Sequence, residues 1–188
     1  MSAKYCWSFP RKTSWPSYER AGVQADILSS ALQIYYGAGT GTNLPGPAVS
    51  SNTWYHVAIT RASSSLKLFL NGTQQGSTAT DNTNYNQSYL WVGVNAGAGA
   101  SFYPGYITNL RAVKGVAVYT ANFTTPTTNL GATQSANENG NPSAAITGTQ
   151  TGMLLNATTN ATLLTDSSSY AMTITNNGTA TWSSTAPF

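Results

Sequence analysis

Charge is what this 188-residue chain has least of: charged side chains make up 7% of it, eight cations against five anions, for a formal net charge of +3. Phosphate binding draws its affinity from clustered cations. The one grouping, Lys4, Arg11, Lys12 and Arg20, is diluted by Glu19, so nucleic acid is not an expected partner. A single cysteine, Cys6, excludes an internal disulfide framework, and a single histidine, His56, excludes the usual zinc clusters. The fold has to hold by packing. No apolar run approaches the roughly 18 residues of a membrane span, so no membrane insertion is expected. Met1 to Trp15 lacks the uninterrupted apolar core of a secretory signal, and the chain is expected to be made in the cytoplasm without a signal peptide.

Neutral polarity takes the place of charge: Thr, Ser and Asn together form about a third of the chain, beside 40% hydrophobic and 11% aromatic residues. Such a sequence is rich in the β-branched, aromatic and turn-forming residues of sheets and poor in Glu and Lys, which favours an all-β fold over a helix bundle. Trp54 to Arg61 reads W-Y-H-V-A-I-T-R, with Tyr55, Val57 and Ile59 alternating against His56, Ala58 and Thr60, the period of a half-buried strand. Leu66, Leu68 and Leu70 alternate with Lys67 and Phe69 directly after the turn formers Ala62 to Ser65, so the two runs form a hairpin. Asn71-Gly72 then supplies the positive φ values of a type I′ turn, and Thr73 to Thr80 returns as a third, more exposed strand.

Further strands are expected at Ala3 to Phe9, Val23 to Leu28, Ala31 to Tyr36, Tyr89 to Val94 and Tyr106 to Val113. Three short ones follow at Met153 to Leu155, Ala171 to Thr175 and Thr179 to Trp182. Strands at this spacing without helical periodicity predict one domain spanning 1–188, an antiparallel β-sandwich or barrel rather than a parallel α/β sheet. Gly131 to Thr151 carries hardly any large apolar group and reads as a long surface excursion between two core strands.

The tract at Trp54 to Arg61 followed by L-K-L-F-L-N-G at Leu66 to Gly72 resembles the central hairpin of concanavalin A-like and laminin-G-like jelly rolls. G-Y-I-T-N-L-R-A-V-K-G-V-A-V-Y-T-A-N-F-T-T-P-T-T-N-L at Gly105 to Leu130 sharpens the resemblance, as does the ending at Ser167 to Phe188. Both are similar to laminin-G-like domains of tailed-bacteriophage structural proteins, including those of marine and cyanobacterial phages. The resemblance implies a jelly-roll sandwich in which the first strand lies near the last ones. It also implies a non-enzymatic virion protein, a surface decoration, knob or appendage module docked to capsid or tail proteins, self-associating as a homo-oligomer or symmetric array. The alternative is a receptor-binding lectin module for host surface glycans.

Catalysis finds little support in the residues. Glycoside hydrolysis needs two carboxylates facing one bond, and Glu19, Asp26, Asp81, Glu138 and Asp166 never form the E-x-D-x-E strand pattern of glucanases of this superfamily. His56, on a strand without acidic or cysteine neighbours, reads as a packed structural residue, and Cys6 as a small buried hydrophobe. No cofactor is implied. Asp81 and Asp166 are the formal candidates for the calcium that some laminin-G-like domains hold, but no ligand set is assigned. The expected protein interface is the basic, aromatic stretch Pro10 to Arg20, with Trp15 and Tyr18 as anchors and Arg11, Lys12 and Arg20 reaching acidic or carbonyl partners. For the lectin alternative, Trp15, Tyr85 and Tyr103 are the ring platforms on which sugar C–H faces would stack.

Overall fold

The computed structural model describes residues 21–28, 30–38, 42–85, 90, 92–95 and 101–187. Three antiparallel strands, β1 (Ala21–Leu28), β2 (Ala31–Ala38) and β3 (Thr42–Ala48), form one sheet in that order. A second sheet is the meander β4 (Val57–Ala62), β5 (Ser65–Leu70) and β6 (Thr73–Thr80). Two antiparallel pairs complete the described ladders: β7 (Val94–Asn95) with β8 (Ser101–Phe102), and β9 (Leu110–Val113) with β10 (Thr151–Leu155). The chain is an antiparallel β-sandwich with its main core between the first two sheets: Leu32, Ile34 and Leu44 pack against Val57, Leu66 and Leu68.

The meander follows from its local chemistry. Leu70 pairs with Thr73, leaving Asn71 and Gly72 as a two-residue loop with φ of 50° and 79°, the left-handed pair that a type I′ turn demands. The preceding loop is equally tight, because Ala62 pairs with Ser65 and Ser63 takes φ 53°. Leu66, Leu68 and Leu70 point into the main core, as the alternation predicts.

The other face of this sheet is covered as well, against the half-buried reading. His56, Ala58 and Phe69 are buried, and Phe69 and Ala58 pack with Tyr119 and Phe123. Residues 118–123 thus form a strap across the outer face. The Phe123 ring stacks on Tyr119 at 3.6 Å and meets Phe69 and His56 edge-on, each at 5.4 Å between centroids. Three hydrogen bonds fasten the strap: Phe123 N–H to Gly72 O (2.9 Å), Gln74 N–H to Asn122 Oδ1 (2.9 Å) and Lys67 Nζ to Thr120 O (2.6 Å). A β-carbon at Gly72 would stand 1.9 Å from the Phe123 carbonyl oxygen, so the residue is required by the turn and by the close approach together.

Several strand expectations need correction. Pro45 and Pro47 hide β3 from a propensity reading, yet β3 is the terminal strand of its ladder, and a bulge lies between the pairings of Ala31 and Gln33. Tyr106 to Val113 is a strand only from Leu110, because buried Asn109 adopts φ 52° and breaks the ladder. Ala171 to Thr175 and Thr179 to Trp182 form no ladder among the described residues. Their polar groups turn to local side chains instead: Met172 N–H donates to Asp166 Oδ2, and Asn176 Nδ2 donates to Ala180 O. Ala3 to Phe9 lies outside the described residues, as do Tyr89 and Trp91, and of the rest of Tyr89 to Val94 only Val94 joins a ladder, at the start of β7. The 131–151 excursion folds back on itself through the bridge Gln134 to Ile146, is tied to the strap by the bridge Tyr119 to Ser143, and buries Ile146 and Ser143.

Candidate functional site

The end of β6 carries a buried carboxylate. Asp81 Oδ1 accepts from Thr83 N–H (3.0 Å), while Oδ2 accepts from Tyr85 Oη–H (2.5 Å) and Arg61 Nη1 (3.1 Å). The Arg61 guanidinium lies 4.8 Å from the centre of the Tyr85 ring, and Gly37 N–H donates to Tyr85 Oη (3.2 Å), tying β2 to the knot. Burial raises the Asp81 pKa, but hydrogen bonds from Tyr85 and Thr83 and the Arg61 charge outweigh it, so the carboxyl titrates below its ordinary value. Tyr85 is pushed up to about 12, first by burial and then by its bond to Asp81. Asp166 is the second such centre. Its Oδ1 accepts from the N–H groups of Leu154 and Ser168, and its Oδ2 from Ser168 Oγ–H and Met172 N–H. Burial pushes this pKa up as well, and the four donors bring it below the ordinary carboxylate value. Both aspartates therefore face hydrogen-bond donors, whereas calcium requires a shell of oxygen lone pairs.

Among the described residues, two concavities lie apart from these knots. The larger, a groove of about 670 Å³, runs between the chain around Phe102 to Leu110 and the C-terminal segment 172–186. Large apolar side chains stand exposed along it: Phe102 (51%), Tyr106 (53%), Leu164 (46%), Met172 (44%), Leu90 (42%) and Trp182 (37%). The smaller, about 300 Å³, is polar and lies under the loop 124–131, with Arg111, Tyr119, Gln134, Glu138 and Ser143 in its walls.

Of the residues chosen from sequence, Arg11, Lys12, Trp15, Tyr18 and Arg20 lie outside the described residues. Tyr103 lines the groove, as do Thr175 and Asn176, whereas Tyr85 is part of the Asp81 knot and lines neither concavity. The structure does not bring these two rings into one site. Sequence reasoning missed the polar cavity, whose walls come from a loop and an excursion without periodic pattern.

A laminin-G family pattern, described as the concanavalin A-like lectin/glucanases superfamily, matches residues 18–121, more than half of the chain. The chain belongs to this superfamily. No curated protein and no solved structure matches it. Domains of the superfamily are typically non-catalytic binding modules, although some members are glycosidases. The match covers both sheets of the main core and ends before the loop 124–131 and the excursion that wall the polar cavity.

Proposed function

We propose that the chain is a non-enzymatic structural module of a tailed-bacteriophage virion, a surface decoration, knob or appendage docked to a capsid or tail protein of the same particle. The observation that carries this reading is the apolar face along the groove. Exposed aromatic and aliphatic side chains gathered on one face are what protein interfaces use, and the scarcity of charge means that docking need desolvate few ions. The phage assignment rests on the resemblance of Gly105 to Leu130. Proteomics of purified particles tests it: the chain should be present at stoichiometric copy number. A Phe102→Ser, Tyr106→Ser double variant, folded and soluble, should be lost from particles. A protein abundant in infected cells yet missing from particles contradicts the reading.

The second reading, a lectin module for host surface glycans, is favoured by Tyr103, whose ring borders the groove beside neutral hydrogen-bonding residues. Tyr103→Ala should then weaken glycan retention without lowering the melting temperature, and a glycan array without signal at high protein concentration removes this alternative.

A further inference from the structure

The polar cavity holds two opposite charges that do not pair with each other. Arg111 spends one hydrogen on Gly131 O through Nη1 (3.0 Å) and one on Gln134 Oε1 through Nη2 (2.7 Å), which leaves three of the five guanidinium donors uncommitted. Glu138, exposed in the short 3₁₀ turn Glu138–Gly140, lines the same space; its backbone carbonyl accepts from Asn141 N–H, while its carboxylate makes no hydrogen bond or ion pair among the described residues. Both charges act on the Tyr119 phenol, Arg111 pulling its pKa down and Glu138 pushing it up, after burial as the largest influence. Ser143, also in the wall, is buried with its Oγ lacking a hydrogen-bond partner.

We propose that this cavity binds a small zwitterion of the α-amino acid type, its carboxylate on Arg111 and its ammonium on Glu138. Each simpler ligand class matches less of the wall. An anion alone meets Glu138, and a cation alone meets Arg111. A neutral sugar finds no free ring face, because the Tyr119 ring is buried against Phe123. A carboxylate fits the fork of unused guanidinium donors, the polar groups around Thr124 to Asn129 accommodate a polar backbone, and about 300 Å³ accepts a small amino acid but not a folded peptide. The site shares no residue with the apolar groove and does not depend on the docking reading.

The test is titration of the full chain, followed by ¹H–¹⁵N resonances, with four probes: L-alanine, its N-acetyl derivative (anion only), its amide (cation only) and glucose. Alanine should shift resonances of residues 124–131 and 138–143 saturably, with each half-charged analogue about tenfold weaker, the worth of one charge-assisted hydrogen bond at a partly exposed site. Glu138→Gln, at an exposed side chain, should keep the fold and erase the preference for alanine over N-acetylalanine. Equal binding of the three alanine derivatives, preference for glucose, or no saturable shift at the solubility limit of alanine overturns the proposal. So does a Glu138→Gln variant that discriminates like the wild type.

Discussion

Gly72→Ala is the sharpest single test of the strap, because a control exists within the chain. Gly72 and Gly115 both hold left-handed backbone, with φ of 79° and 89°, but a β-carbon at Gly115 meets nothing within 4 Å while one at Gly72 meets the Phe123 carbonyl oxygen at 1.9 Å. Ala in left-handed backbone costs about 1–2 kcal/mol, and that is all Gly115→Ala should cost. Gly72→Ala adds the lost Phe123 N–H to Gly72 O bond, about 1 kcal/mol, because the strap backbone has to lift. It also adds part of the Phe123 packing, whose full truncation to Ala costs about 3–5 kcal/mol. The expected total is about 3–5 kcal/mol, a fall in melting temperature of roughly 6–20 °C for a chain of this size. Urea denaturation of both variants, followed by tryptophan fluorescence, measures the difference. If Gly72→Ala and Gly115→Ala agree within about 0.5 kcal/mol, the strap does not bear on the turn and the reasoning fails.

Asp166→Asn places an amide NH₂ where donors already point, and should lower the denaturation free energy by about 2 kcal/mol at neutral pH. Because the Asp81 and Asp166 pKa values are depressed in the fold, their contribution is complete above the ordinary carboxylate pKa and is lost as pH falls through the folded values. Melting temperatures should therefore drop steeply in acid, and less steeply in Asp166→Asn; parallel curves for the two proteins contradict the linkage. Tyr85→Phe removes the hydroxyl that joins Gly37 to Asp81 and should cost about 1 kcal/mol, while ultraviolet titration of the wild type should show one phenol ionising near 12. A Tyr85→Ala variant should melt early for the same reason, so it cannot separate glycan contact from folding. Trp15→Ala with Arg11→Ala should reduce oligomer or particle occupancy with the domain still folded. A monomer by light scattering, together with normal decoration by the double variant, removes that interface.

Local chemistry made the β4–β6 meander readable: strict alternation sets the leucine face and Asn71-Gly72 sets the turn, although β4 begins at Val57 and not at Trp54. β3 was hidden by its prolines. The strap was hidden by distance, since Lys67 and Thr120 are 53 positions apart and neither carries a periodic signal of the contact. The same limit applies to the candidate sites. Asp81 and Asp166 stood out as scarce acids, but only the fold reveals that donors surround them. Tyr85 read as a loop platform because one partner of its hydroxyl, Gly37, lies 48 positions away on β2, and no periodic signal marks the other, Asp81, four residues back.

The strap also sets how the molecule comes apart. The meander closes through contacts a few residues apart, whereas the strap has to return from about fifty residues away, a loop closure that comes late because its entropy is spent before its contacts form. Interactions absent from the folding transition state act on the unfolding rate, so truncating Phe123 should leave refolding nearly as fast and shorten the lifetime of the native state. The buried outer face of the second sheet is thus a kinetic latch, and on the proposed virion reading the slowness of unfolding is what would keep the module intact on a particle where no chaperone refolds it.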